Sequence, residues 1–372
     1  MREVLRPGHF PAHEHAPGGV QPRGHVEAGR QGGAGRVLVP REELGGGAGA
    51  GPEPGDFRGG GGILFVPSFA GMLPVASPRL LRPRPVVSRL APTPSGYLHL
   101  GNAVNFVLTW LLTRQAEGRL HLRIDDLDRA RLRPAYLDNI FRVIDWLGID
   151  YDHGPTGPDD FLRHHSQLLH LPAYNAVLRR LAQQPDLVQA SQRTRTGGPE
   201  APVALETPGA AWRAQVPTGT IIPLADAWQG NASVPLGALM PDFVVRKKDG
   251  VAAYQVASVV DDLRLGTTLI VRGLDLQPST AAQLWLAGQL SETAAFNAAR
   301  VRFCHHALLT DAAGQKLSKS QQRPLEAGIL GQSQGRRAVY EAVSQLLKLP
   351  RDASQSLRAL QDHLRATPFP SR

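Results

Sequence analysis

Four groups of residues in this 372-residue chain combine side-chain types and spacings that can do chemistry. The first is Arg89-Leu-Ala-Pro-Thr93-Pro-Ser-Gly96 followed by His99-Leu-Gly101-Asn102, a Pro/Gly loop running into an apolar helix. A helix start carries unpaired N–H donors and the positive end of the dipole, which suits an anion. Gly101 lets a phosphate or a purine come close to the backbone. A histidine there can stabilise charge building on an α-phosphate under attack. A turn that merely caps a buried helix would use the same residues. The second group is Gly314-Gln-Lys316-Leu-Ser318-Lys319-Ser320. Two lysines on a Gly-led loop can close over a triphosphate and neutralise a leaving pyrophosphate, and a solvated basic loop looks the same.

The third group joins Tyr254, Val256-Ala-Ser-Val-Val-Asp261-Asp262 and Leu269-Ile-Val-Arg272-Gly273-Leu-Asp275. An arginine at a strand end, followed by glycine, can hold a carboxylate bidentately, and Tyr254 can add a directional hydroxyl. The fourth is Arg123-Ile-Asp125-Asp126-Leu-Asp128, in which Asp125 can grip an ammonium group. Metal binding and a capping turn are the competing readings of those acids.

The elements that must position these residues read as an α/β fold. An apolar strand at 86–90 is followed by the first loop, a helix over 102–117 and a strand at 119–124. Pro134 then opens a helix that stops at Gly148. Strand, helix, strand, helix favours a parallel sheet with right-handed crossovers, whose ligands sit at the carboxyl ends of the strands. One amphipathic helix is expected over 159–183. An irregular insertion at about 185–240, with strand-like pieces at 211–216 and 220–224, separates the halves of the sheet. The pattern resumes with strands at 242–246, 267–272 and 300–305, helices at 253–261 and 279–290, and helical segments near the C-terminus.

Composition bounds the rest. Residues 1–84 are rich in Gly and Pro without apolar periodicity and read as disordered, or as upstream sequence carried by an early start codon. The net charge of +9 suits a polyanionic partner such as RNA without demanding one. The chain's one cysteine, Cys304, excludes internal disulfides and Cys-rich zinc sites. No apolar run spans a bilayer, so a cytoplasmic protein, away from membranes, is expected.

Taken in order, the four groups resemble class I aminoacyl-tRNA synthetases of the glutamyl/glutaminyl branch. The His99-Leu-Gly101-Asn102 and Lys316-Leu-Ser318-Lys319-Ser320 segments are similar to that class's two signature motifs. The Arg-x-Ala-Pro-x-Pro-x-Gly lead-in, the Arg-Ile-Asp-Asp turn and the Val-Val-Asp-Asp…Val-Arg-Gly-x-Asp block are similar to the glutamyl branch. The resemblance implies a Rossmann-like parallel sheet with an insertion, a catalytic core over 86–325 and a short helical segment over 326–372. It implies no anticodon-binding domain, as in the shortened glutamyl-Q tRNA(Asp) synthetases. It implies glutamate contacts at Arg89, Thr93, Asp125, Tyr254 and Arg272, and ATP contacts at His99, Gly101, Asn102, Asp275, Lys316, Ser318 and Lys319. ATP with Mg2+, glutamate and the tRNA for aspartate are the implied substrates, and the expected state is a monomer.

Three positions depart from the pattern. Asn102 stands where the signature has its second histidine, and Asp125 stands where the branch usually has glutamate. Gln189 and Ser191 stand at two positions where the shortened relatives carry zinc-binding cysteines, so zinc is not expected. A glutamate–tRNA ligase with another acceptor and a catalytically weak tRNA-binding paralogue remain alternatives. Retention of His99, Lys316 and Lys319 argues against the second.

Overall fold

A computed structural model of the chain describes residues 85–192, 202–309, 328–331 and 335–366. The expectations for 1–84 and for the Thr310–Ser320 loop lie outside the described residues.

Strand β1 (Val87–Leu90) leads through the Pro/Gly loop into helix α1 (Leu100–Gln115), which returns the chain to β2 (Arg119–Leu122). The two strands pair parallel, with Val87 opposite Arg119 and Leu90 opposite Leu122. Helix α1 is buried almost all round, from Ala103 to Thr113, because strands cover one side and C-terminal helices the other. That explains why its sequence is apolar without a polar stripe. Helix α2 (Pro134–Trp146) follows, opened by its proline and ended near Gly148, whose φ of 68° favours glycine.

The amphipathic helix expected over 159–183 is not continuous. The structure has a short turn α3 (Pro158–Asp160), a π-helical turn at Phe161–His165, a 3-10 turn at Gln167–His170 and only then α4 (Leu171–Ala182). The cause is local. Asp126 accepts from Ser166 Oγ at 2.7 Å and from the Gln167 N–H at 2.8 Å, so the chain breaks there to cap a carboxylate. Pro172 opens the new helix in the first turn.

Beyond α4 come β3 (Val188–Ser191) and β4 (Ala211–Gln215), then β5 (Ile222–Asp226), β6 (Gly230–Val234) and the single turn α5 (Leu236–Leu239). Strand β7 (Asp242–Arg246), helix α6 (Tyr254–Arg264), β8 (Leu269–Gly273), helix α7 (Gln277–Ala287) and β9 (Arg302–His306) complete the alternating part, and α8 (Gly335–Leu346) and α9 (Leu357–Ala366) follow. Strands β3, β4 and β7 form a small antiparallel sheet. In the main sheet β8, β9 and β5 run parallel and β6 adds an antiparallel edge. Strand β1 lies beside β8: Thr268 N–H donates to Val87 O at 2.8 Å and Ser88 Oγ to Leu269 O at 2.9 Å.

Strand β8 is apolar at successive positions because both faces are covered. Leu269 and Val271 pack with α1, α2, α8 and α9 residues, whereas Ile270 packs with α4, α6 and α7. The architecture is mixed α/β with parallel strands, as the sequence pattern indicates. No helix among the described residues is long and apolar enough to cross a membrane.

Candidate active site

At the carboxyl ends of β1, β8 and β9 the sheet opens into a cavity of about 750 Å3. All the candidate residues that the structure describes line it: Arg89, Thr93, His99, Gly101, Asn102, Asp125, Tyr254, Arg272 and Asp275. They come from elements up to 186 positions apart in sequence, and parallel crossovers bring them to one rim. Lys316, Ser318 and Lys319 lie outside the described residues.

One wall is a buried network of arginines and carboxylates. Asp262 Oδ1 accepts from Arg89 Nε at 2.9 Å and from Arg123 Nη1 at 2.7 Å. Arg123 also grips Asp125 with both arms, Nε to Oδ1 at 2.7 Å and Nη2 to Oδ2 at 3.1 Å. Burial penalises the Asp262 charge, but Arg89, Arg123 and Arg272 outweigh it and hold the carboxyl below its usual range. Burial lowers the Arg89 pKa, with Arg272 and Arg123 pushing the same way against Asp262. For Arg123, Asp125 and Asp262 together overcome burial and raise it. Burial lifts the Asp125 carboxyl in spite of Arg123. The two-armed geometry of the Arg123–Asp125 pair favours its ionic form.

Arg272 is turned differently. Its Nη1 donates to Gln283 Oε1 at 2.8 Å and to Thr280 Oγ1 at 3.1 Å. Its Nη2 is buried and has no hydrogen-bond partner among the described residues. Arg89, Arg123 and Arg272 therefore converge on Asp125 and Asp262, with buried Asp261 close by, and one guanidinium arm lacks a partner among the described residues. A buried donor of that kind costs free energy until an acceptor reaches it, and a carboxylate is the acceptor of matching charge. Asp125 lines the same cavity, yet both its oxygens are engaged by Arg123.

The other wall is the start of α1. His99 is its N-cap: Gly101 N–H donates to His99 Nδ1 at 3.1 Å, and His99 N–H donates to Asn102 Oδ1 at 3.1 Å. Asn102 thus closes a reciprocal cap, a role a second histidine would not fill in the same way. With Nδ1 accepting, the neutral ring carries its proton on Nε2. A Cβ at Gly101 would sit 3.1 Å from His99 Cε1 and 3.2 Å from Nδ1, so a larger residue would make the folded-back ring give by a few tenths of an ångström. Across the cavity, a Cβ at Gly273 would meet Asp275 Oδ1 at 2.7 Å, so that glycine lets the carboxylate fold over the strand end.

Several residues of the site carried no role in the sequence reading. Arg123 and Asp262 were visible as motif members, but the Arg123–Asp262 and Arg89–Asp262 contacts span 139 and 173 positions and leave no periodic signal. His306 also lines the cavity. Its Nδ1 lies 2.9 Å from Ala307 O, its Nε2 is buried without a partner among the described residues, and burial lowers its pKa.

The comparisons with known proteins agree with this arrangement. A family model described as "tRNA synthetases class I (E and Q), catalytic domain" matches residues 85–183 and 203–356. The chain belongs to this family. It is 35% identical over 261 residues to the glutamyl-Q tRNA(Asp) synthetase of Nitratidesulfovibrio vulgaris, a match covering 63% of the chain and 78% of that protein. It is 36% identical over 266 residues to the Symbiobacterium thermophilum protein of the same name, covering 65% of the chain and 80% of the relative. The glutamate–tRNA synthetase structure from Elizabethkingia anophelis superposes with a TM-score of 0.58 at 22% identity, over 75% of this chain and 66% of that one. That likeness is one of fold. As a class I synthetase core, the chain is an aminoacyl-tRNA ligase that uses ATP.

The small sheet does not fit a zinc ion. Gln189 and Ser191 sit on β3 and offer no thiolate, and Cys304 is buried inside β9. Among the described residues no group of three or more His, Cys, Asp or Glu is placed to hold a metal. The sheet is held by protein contacts instead. The Arg246 guanidinium lies 4.8 Å from the Trp212 ring centroid, and Trp212 Nε1 donates to Leu205 O at 2.7 Å.

Proposed function

We propose that the chain activates glutamate with ATP to glutamyl-adenylate and transfers it to the queuosine base of the tRNA for aspartate. The observation that carries the amino-acid choice is a cavity lined by Arg89, Arg123, Arg131 and Arg272 against Asp125 and Asp275, with the Nη2 of Arg272 lacking a partner among the described residues. A glutamate side chain must lose its water on entry and needs a charge-assisted partner in return. Arg89 and Arg272 supply one, Tyr254 adds a hydroxyl at the rim, and Thr93 lines the same pocket. A neutral amide would leave the arginine charge uncompensated, at a cost of roughly 1–3 kcal/mol. The amino group is placed near Asp125, which reaches it as one member of the ion pair with Arg123.

The reaction needs no side-chain nucleophile. The glutamate α-carboxylate attacks the α-phosphorus of ATP and pyrophosphate leaves, so positioning and charge stabilisation are the protein's task. His99, with its proton on Nε2, donates toward the α-phosphate. The α1 N-terminus at Gly101 and Asn102 faces the phosphates, Asp275 takes the ribose side, and Lys316, Ser318 and Lys319 cover the leaving group. Mg2+ enters with the triphosphate. The acceptor rests on the printed names of relatives at 35–36% identity, whose own length the chain covers by about four fifths. A monomer in the cytoplasm fits this reading. The test is transfer of labelled glutamate to tRNA for aspartate isolated with and without queuosine. Labelling only of the queuosine form is expected. Equal labelling of both forms, or labelling of glutamate tRNA instead, overturns the acceptor.

A further inference from the structure

Behind Arg272 lies a second buried chain of side chains. Thr280 Oγ1, on α7, is 3.1 Å from Arg272 Nη1 and 2.9 Å from His305 Nε2. His305 Nδ1, on β9, is 2.6 Å from Asp226 Oδ2 at the end of β5. All three are buried, at 0%, 1% and 5% exposure. Asp226 is fixed in turn: its Oδ1 accepts from the Trp228 and Gln229 N–H groups at 2.9 and 2.8 Å, and the His305 N–H donates to Oδ2 at 3.1 Å.

Hydroxyl, imidazole and carboxylate in this order suggest a nucleophile, but the surroundings exclude that use. Thr280 Oγ1 has no exposure to a substrate, and a guanidinium already donates to it. The hydrogen-bond directions give it another role. Nη1 of Arg272 can only donate, so Thr280 Oγ1 accepts. Asp226 accepts from His305 Nδ1–H, which leaves Nε2 of the ring beside the Thr280 hydroxyl, whose hydrogen also has Leu276 O within 3.2 Å. Arg272, Thr280, His305 and Asp226 are thus joined end to end by buried polar contacts of 3.1, 2.9 and 2.6 Å, and such chains polarise one another in a buried setting. Gln283 Oε1 takes the second Nη1 hydrogen. With Nη1 saturated, the planar guanidinium cannot turn, and Nη2 is the arm left without a partner among the described residues.

We propose that Asp226, His305 and Thr280 form a positioning relay that fixes the Arg272 guanidinium at the cavity wall, and that Thr280 thereby sets preference for an acidic amino acid. This rests on the reading of Arg272 as the carboxylate holder. The relay touches no substrate and acts through Arg272 alone.

The test is amino-acid-dependent pyrophosphate exchange on the full chain, with KM for glutamate and for ATP measured separately. Thr280→Val keeps the shape and removes the hydroxyl. It is expected to raise the glutamate KM by about tenfold to a hundredfold, as for a lost hydrogen bond to a charged group, and to leave the ATP KM within about twofold. Thr280→Ser, which keeps the hydroxyl, is expected to restore most of the loss. In an Arg272→Lys background Thr280→Val is expected to add nothing further, because the group it fixes is gone. If the valine variant unfolds, Thr280→Ser against Thr280→Ala gives the same comparison, since they differ by the hydroxyl. An unchanged glutamate KM, an equal rise in both KM values, or failure of serine to rescue overturns the relay. An unchanged glutamate KM in Arg272→Lys itself overturns the pocket reading instead, so the two failures are distinguishable.

Discussion

Asp262→Asn is the substitution whose cost follows most directly from the geometry. The carboxylate is fully buried and its Oδ1 takes hydrogen bonds from two arginines, at 2.9 and 2.7 Å. Asparagine keeps the shape and one acceptor but removes the charge, leaving Arg89, Arg123 and Arg272 with one buried carboxylate fewer. Breaking a buried ion pair by altering one partner costs about 3–5 kcal/mol. The retained acceptor lowers that, whereas Oδ2 has no partner, so an amide NH2 placed there meets no acceptor. A net loss of about 2–4 kcal/mol is expected from urea denaturation at pH 7. The pH dependence has a definite sign. The folded carboxyl sits below its ordinary pKa of 3.8, so its contribution is fully present above that value and is lost as pH falls through the lower folded pKa. The gap between parent and variant should stay constant from pH 8 to 5 and narrow only below about pH 4. A gap under about 0.5 kcal/mol, or one that shrinks between pH 8 and 6, would refute the network as drawn.

Other substitutions separate the parts of the site. Gly101→Ala crowds the His99 ring at its cap, and should lower the rate of adenylate formation by up to about tenfold while the glutamate KM stays near its parent value. Lys319→Ala should depress adenylate formation by roughly 10²–10³ with little change in glutamate affinity; equal losses in both would assign the lysine a structural role. Cys304 is buried and its thiol is pushed well above the usual range, so iodoacetamide should label it only under denaturing conditions; rapid labelling of the native protein would contradict its place in the core.

The sequence was most legible where one stretch of chain carries both element and chemistry. The loop from Arg89 to Asn102, the strand ending at Arg272 and the turn at Asp125 could be found because glycine, proline and apolar runs mark their boundaries. The relay of Asp226, His305 and Thr280 could not, because its members lie on β5, β9 and α7 and each is an ordinary strand or helix residue in its own segment. The broken helix near Ser166 has the same origin. Its amphipathic pattern is real, but Asp126, 40 positions away, draws the Ser166 hydroxyl and interrupts it. Strand β6, Gly230–Val234, escaped notice because only Val234 has strong strand propensity, and its pairing with β5 defines it. The role of Asn102 became readable only with the cap geometry in hand.

The central claim is that this cavity selects glutamate through buried arginines. Pyrophosphate exchange measured with glutamate, glutamine and aspartate in parallel, each as kcat/KM, tests it most directly. The account predicts glutamate as the best substrate, ahead of glutamine by at least about tenfold for an uncompensated arginine. Exchange driven better by glutamine, or by any other neutral amino acid, would contradict it.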